Sequence, residues 1–496
     1  MKARVDWLEW GKEAFERARK EDKPILLDLT AVWCHWCHVM DATSYSDNEI
    51  IDLINKDFVP VKVHIDKRPD LRERYNMGGF PSTVFLNIDG DIITGDTYVP
   101  PERFKLMLEA VSNKYKKRKK EVEKGIDELN RVQSAKEIKK QNLSEDIIKE
   151  ILIFVEDSFD SFYGGFGLQP KFPSPDVLNL LFMQYEKTKN KKYLDMATKT
   201  LDGMHNGIYD KIDYGFFRYS VTQDWKMPHY EKMLETNAGL LRNYLDAYNI
   251  TKNEKYKEIA EETIEYVNRF LSDQEAGGFY GSQDADDEFY SLSPEERKNK
   301  EYPDVDKTIY TDWNSMMVSS YIKAGTILSD EKAVNFAIKT ADFILENCYE
   351  SKNGLFHYFD GKPNINGLLS DNVHFLNCLI DAYASTKDVK YMERIKEITR
   401  FILKNFYDDK IGGFFDKILK DGDFGALKHK DKHFLENSFC AMVFLRLYFL
   451  TEEIEYKEAA EKTLLYFSES CVNFGHFAAM YALGVGMLFG GEISKT

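Results

Sequence analysis

Cys34 and Cys37, within Thr30-Ala-Val-Trp-Cys-His-Trp-Cys-His38, form a Cys-x-x-Cys where an apolar strand meets a helix. The first turn of a helix leaves N–H groups unsatisfied and carries the positive end of the dipole. A thiol placed there has a lowered pKa. Such a pair supports thiol–disulfide exchange, with Cys34 as the attacking thiolate and Cys37 as the resolving thiol. His35, inside the motif, adds to this when protonated. Three other readings stay open. Cys34-His-Trp-Cys-His38 satisfies the Cys-x-x-Cys-His spacing of haem attachment, which needs an export context. Cys34, Cys37, His35 and His38 are ligand types for zinc or copper, but no second Cys-x-x-Cys or His pair stands nearby. The pair can also be structural. Neither metal nor cofactor is therefore expected. Cys348, Cys378, Cys440 and Cys471 lie singly in apolar helices and read as buried thiols.

A second set of chemical residues lies in the C-terminal two-thirds. Arg218-Tyr219, His229, Glu231, Asp284, Asp286, Asp312-Trp313-Asn314, Asp371, His374 and His433 fall in loops that lead into helices. Aromatic faces stack on sugar rings, while carboxylates and amides bind hydroxyls. A glycosidase needs two carboxylates across a cavity, for which Glu231, Asp284, Asp286, Asp312 and Asp371 are candidates. An epimerase needs an acid and a base on opposite sides of one carbon, which His229, His374 and His433 can supply. The structural alternatives are plain. Ser174, Asp312 and Asp371 suit helix caps, and His229 and Glu231 suit loop bracing.

The elements that hold these residues follow from periodicity. A helix over 5–22 is expected from the spacing of Trp7, Trp10, Phe15 and Ala18. Strands follow over 24–30, 58–65, 80–86 and 91–98, with helices over 34–55 and 101–115. Strand and helix alternate, which implies a small α/β domain. Residues 116–144 are charged, with Lys114-Tyr-Lys-Lys-Arg-Lys-Lys120 at their start, and read as a solvated helical linker. From 145 to 496 the pattern is helical. A glycine-aromatic punctuation recurs at Gly164, Gly215, Gly278, Gly354, Gly413 and Gly475, which marks six helical hairpins. Closing six hairpins on one another buries every apolar face, so an (α/α)6 toroid is expected over an open solenoid.

Composition bounds the rest. The 496 residues are 43% hydrophobic and 30% charged, which excludes a mainly disordered chain. The formal charge of −16 gives no positive field for a nucleic-acid backbone. No segment reaches the roughly 18 apolar residues that span a bilayer, and the N-terminus shows no signal-peptide core. No nucleic-acid or membrane partner is expected, and the location expected is cytoplasmic.

Taken with Trp33 and the strand entered by Phe80-Pro81, the cysteine pair resembles thioredoxin. That resemblance implies a cis Pro81 facing the cysteines and a buried, proton-handling carboxylate at Asp28. Over nearly the whole chain, Cys34-His-Trp-Cys-His-Val-Met40, Gly78-Gly-Phe-Pro81, Pro170-Lys-Phe-Pro173, Pro228-His-Tyr-Glu-Lys-Met-Leu234, Asp284-Ala-Asp286 and Gly412-Gly-Phe-Phe-Asp416 resemble the thioredoxin-domain-containing, spermatogenesis-associated family. The resemblance implies a multidomain chain: a thioredoxin-like α/β domain over 1–115, then a barrel over 145–496 similar to N-acylglucosamine 2-epimerases and six-hairpin glycosidases. The chain is shorter than typical members, its acidic loop at 284–290 is abbreviated, and Tyr214 stands where glycine is usual. Three functions follow as expectations. They are a thiol–disulfide oxidoreductase acting on a disulfide-bearing protein, a carbohydrate-active enzyme on a small sugar, and a non-enzymatic adaptor.

Overall fold

The computed structural model describes residues 4–133 and 143–491. Two compact units divide the chain. One comprises Met1–Ile138 with Leu419–Lys430, the other Lys139–Ile418 with Asp431–Thr496.

The first unit is an α/β sandwich on a mixed sheet. Its strands are β1 (Ile25–Thr30), β2 (Val59–His64), β3 (Ser82–Leu86) and β4 (Ile92–Asp96), in the order β2-β1-β3-β4. β1 is parallel to β2 and antiparallel to β3. Every residue of β1 is buried, which explains its unbroken apolar run. Helices α1 (Lys12–Glu21), α2 (His35–Ala42), α3 (Asn48–Asp57), α4 (Pro69–Tyr75) and α5 (Pro101–Gln133) flank it. Ile50, Ile54, Phe58, Phe85 and Phe104 form the centre of one core.

Three expectations need correction here. Residues 5–11 are not helical. Leu8 instead lies along β2, donating to the Pro60 carbonyl and accepting from Lys62 N–H at 3.0 Å each. An edge strand with unpaired backbone groups outweighs the helical spacing of the tryptophans. The span 34–55 is two helices rather than one. Asp47 ends the run by capping α3, accepting from Glu49 N–H at 2.9 Å and Ile50 N–H at 3.1 Å. Helix α4, with Pro69 in its first turn, was not expected. α5 continues past 115 to Gln133, while residues 134–142 of the charged stretch lie outside the described residues.

Residues 419–430 are integral to this unit. Tyr75 Oη donates to the Gly90 carbonyl and accepts from Ala426 N–H, both at 2.8 Å. Phe424 stacks on Phe15 at 4.9 Å. Gly425 has φ +57°, and a Cβ there would stand 2.5 Å from Tyr75 Oη, so only glycine fits.

The second unit is an α/α toroid. Among the described residues it has six hairpins. Their outer helices are α6 (Asp146–Ser158), α8 (Lys191–Gly207), α10 (Glu254–Phe270), α14 (Glu331–Asn347), α16 (Val389–Asn405) and α18 (Ile454–Phe467). Their inner helices are α7 (Pro175–Thr188), α9 (Leu234–Thr251), α13 (Thr311–Leu328), α15 (Leu369–Thr386), α17 (Phe434–Thr451) and α19 (Ala479–Gly490). Two short helices, α11 (Asp287–Tyr290) and α12 (Pro294–Arg297), sit between α10 and α13. Each inner helix packs on the next, and α19 packs back on α7, so the ring is closed.

Both kinds of turn have a chemical basis. From inner to outer helix, a non-glycine residue takes the left-handed region (Lys189, Lys252, Ser329, Lys387 and Glu452), and in four of these turns an Asn or Asp cap follows or comes close after it. From outer to inner helix, the recurring glycines hold positive φ. A Cβ on Gly215 would fall on the Tyr266 ring. Short strand pairs were not expected in this unit; among them, Gly354–Phe359 pairs with Pro363–Asn366 and with Ile309–Tyr310. Two helical stretches, Phe434–Thr451 and Cys471–Gly490, are long and apolar enough to cross a membrane, contrary to the sequence expectation. Both contribute inner helices of the ring, which pack against neighbours on several sides.

Candidate functional site

Cys34 is the N-cap of α2, and its Sγ accepts the Cys37 N–H at 3.2 Å. The two sulfurs form a disulfide, with Cα atoms 5.2 Å apart. Both cysteines are buried, while Val32 and Trp36 beside them are 43% and 45% exposed. Trp33 Nε1 donates to Asp66 Oδ2 at 2.6 Å and fixes the loop before the pair. The Phe80-Pro81 peptide is cis. The His35 ring packs edge-on against Trp36 at 5.7 Å. A sulfur at this cap receives a backbone N–H and faces the helix dipole, which stabilises a thiolate after reduction.

Asp28 lies in the middle of β1, in register with Lys62 on one side and Thr83 on the other. Burial pushes its carboxyl up to about 6; Lys62 opposes this, and the charge of Asp41 adds to it. Lys62 Nζ reaches Asp28 Oδ2 at 3.3 Å and Asp41 Oδ1 at 2.6 Å. The raised value means that the fold prefers Asp28 neutral. The stability this contributes is fully present below 3.8 and is lost as pH rises through about 6. A shift from 3.8 to about 6 corresponds to roughly 3 kcal/mol. Asp28→Asn is therefore expected to stabilise the protein above that range by up to about 3 kcal/mol. Denaturant titrations on either side of pH 6 check this; a stability change that ignores pH would contradict it.

In the second unit, the residues singled out from sequence separate into three roles. Some are consumed by the scaffold. Asn314, a proposed cavity residue, is fully buried. Its Oδ1 accepts Phe279 N–H at 2.7 Å, and its Nδ2 donates to the Phe279 and Tyr310 carbonyls at 2.9 and 2.8 Å. Asn237, Asn372 and Asn437 clamp the corresponding turns in the same way. Asp286 caps α11 through Phe289 N–H at 2.8 Å, and Asp284 accepts from Ala285 N–H at 2.7 Å. Ser174 makes no cap hydrogen bond. His433 sits at the N-cap of α17, with Nε2 3.6 Å from Asp416 Oδ2.

A second group forms a stacked platform. Phe172, Tyr219 and His229 stack with centroid spacings of 4.4 and 4.5 Å, and Arg218 lies 5.7 Å from the Tyr219 ring. His229 Nδ1 is 3.3 Å from Glu231 Oε1, and among the described residues the buried Glu231 Oε2 has no hydrogen-bond partner. Burial, with the Glu231 charge adding, pushes the Tyr219 hydroxyl up to about 12.

The third group brings Asp312, Asp371 and His374 together with a residue missed from sequence, His357. His357 Nδ1 stands 2.9 Å from Asp371 Oδ1, with both side chains buried. Burial raises the Asp312 pKa, and the Asp371 charge adds to this while His357 and His374 oppose it. Burial lowers the His374 pKa, and its ring stacks on Phe439 at 4.2 Å. Trp313 packs on Tyr310 at 4.7 Å.

Three lysines that lead into inner helices hold the turns before them. Lys171, Lys232 and Lys432 each bridge an aspartate and a turn carbonyl: Asp160 and Gly164, Asp210 and Tyr214, Asp408 and Gly412. Their recurrence just before three inner helices was the available signal.

Residues 1–133 match a sequence family described as a protein of unknown function, DUF255 (Thioredox_DsbH), and residues 177–364 match Glycosyl Hydrolase Family 88. Spermatogenesis-associated protein 20 of Homo sapiens is 26% identical, over 94% of this chain and 76% of its own length. Disulfide bond reductase DsbH of Chlamydia pneumoniae is 30% identical, over 18% of this chain and 60% of its own. The fold of cellobiose 2-epimerase from Bacillus thermoamylovorans B4167 is similar at a TM-score of 0.55 and 15% identity, over 66% of this chain and 87% of that one. The chain is thus a thioredoxin-like domain of the DUF255 type joined to a six-hairpin α/α barrel, as in the thioredoxin-domain-containing, spermatogenesis-associated proteins that it resembles.

Proposed function

We propose that this chain is a thiol–disulfide oxidoreductase that works in a reducing compartment, with a disulfide-bearing protein as its client and the barrel as a client-binding platform. The observation that carries this reading is Cys34 at the cap of α2, accepting the Cys37 N–H. Buried Asp28, with its raised pKa, is the group suited to take the Cys37 proton. Similarity to a disulfide bond reductase over this domain supports it. In the reductive direction, Cys34 thiolate attacks a client sulfur and the client's other sulfur leaves as thiolate. Cys37, deprotonated by Asp28, then attacks Cys34 Sγ. The client leaves as a dithiol, and the enzyme is oxidised to the Cys34–Cys37 disulfide. Client capture by Cys37→Ser is the test. A mixed disulfide through Cys34 is expected to accumulate, and its absence would remove the reading.

The platform of Phe172, Tyr219 and His229 above Glu231 favours a second reading, a carbohydrate-active barrel. The aromatic faces suit a sugar ring, and the His–Glu pair suits proton transfer. Sugar turnover that survives Cys34→Ser and is lost in His229→Ala would support it. Screening the wild-type chain for epimerisation and glycoside hydrolysis comes first, and inactivity in both would end it.

A further inference from the structure

We propose that Asp312, His357 and Asp371 form a binding site for a first-row divalent transition ion such as Zn2+ or Mn2+. The three side chains come from three elements: the first turn of α13, the strand Gly354–Phe359, and the first turn of α15. One candidate ligand atom from each lies within 4.8 Å of the other two. Among the described residues, no other group of three His, Cys, Asp or Glu side chains comes as close.

One further observation points to a ligand. Asp371 is fully buried, and among the described residues its Oδ2 has no hydrogen-bond partner. A buried carboxylate oxygen without a donor carries a desolvation cost that a cation removes. His357 Nδ1 and Asp371 Oδ1 are hydrogen-bonded at 2.9 Å, which holds the imidazole beside that carboxylate. Charge argues the same way. Two carboxylates this close repel each other. A divalent ion neutralises both. Asp312 keeps part of its surface open, which gives the ion a path. An imidazole with two carboxylates selects transition ions over Mg2+ and Ca2+, which prefer all-oxygen shells. The alternative is that a proton, shared within the group, balances the charge.

The test is Co2+ and Zn2+ titration of the full chain carrying Cys34→Ser and Cys37→Ser, which removes the competing thiol pair. One equivalent is expected to bind. Co2+ is expected to show d–d absorption of a nitrogen–oxygen ligand set without thiolate charge transfer. Asp312→Asn and His357→Gln are each expected to weaken binding by at least about tenfold. No binding up to millimolar metal overturns the proposal and leaves the proton. Binding unchanged in both variants, or a thiolate spectrum, also overturns it. Should the buried His357→Gln chain unfold, the partly exposed Asp312→Asn and the Co2+ spectrum decide alone. None of these outcomes depends on the redox reading.

Discussion

Cys34→Ser is expected to reduce disulfide exchange to the uncatalysed background while leaving the fold intact. Cys34 is the sulfur that receives the Cys37 N–H, and it stands where the unsatisfied donors of α2 converge. Serine retains the cap, because its hydroxyl also accepts from a helix N–H. The fold therefore survives and the nucleophile does not. Cys37→Ser is expected to behave differently. It retains the first attack and accumulates mixed disulfide with the client. Exchange assays with circular dichroism on both variants check this contrast. Retained turnover in Cys34→Ser would place the chemistry elsewhere in the chain.

Lys232→Met is expected to cost about 3–5 kcal/mol, the range for breaking a buried ion pair by removing one partner. Lys232 Nζ is fully buried, 2.7 Å from Asp210 Oδ2 and 2.7 Å from the Tyr214 carbonyl. The rings of Phe217, Tyr266 and Tyr290 surround it at 4.6–5.1 Å. Burial pulls its pKa down to about 8 even though Asp210 holds the charge. Removing the ammonium leaves Asp210 to Arg297, which also holds Asp213 at 3.0 Å and anchors α12. Methionine fills the volume but supplies no donor. The related Lys432→Met is expected to cost less, because Asp408 is 17% exposed. Urea denaturation of the two variants measures the difference. Equal, small losses would show that the lysine bridges are dispensable.

Much of the architecture was legible because apolar runs and periodicity report burial directly. β1 reads as a strand because both faces are covered, and the glycine turns read as hairpins because their φ is positive. Ring closure follows from the need of six amphipathic hairpins to cover one another, and α19 packing on α7 meets it. What escaped was decided by long-range partners. Leu8 became a bridge residue because β2 had a free edge, which no local pattern records. His357 is hidden in the sequence because the punctuation at Gly354 reads as a turn, whereas Gly354 opens the strand Gly354–Phe359 that sets His357 against Asp371. Asn314 and Asp286 have residue types that suit a cavity, yet backbone groups in need of partners claim both. The cysteine pair was the clearest case, since its spacing and its place at a strand–helix junction define its geometry without distant contacts.

The most direct test of the central claim is alkylation of Cys34 against pH in the reduced, metal-free chain, together with a glutathione titration of the pair. The account predicts a Cys34 pKa well below the unperturbed value of about 8.5 and a reversible two-electron potential between roughly −270 and −120 mV. A Cys34 pKa at or above the ordinary value, or a pair that does not equilibrate with glutathione, would contradict it.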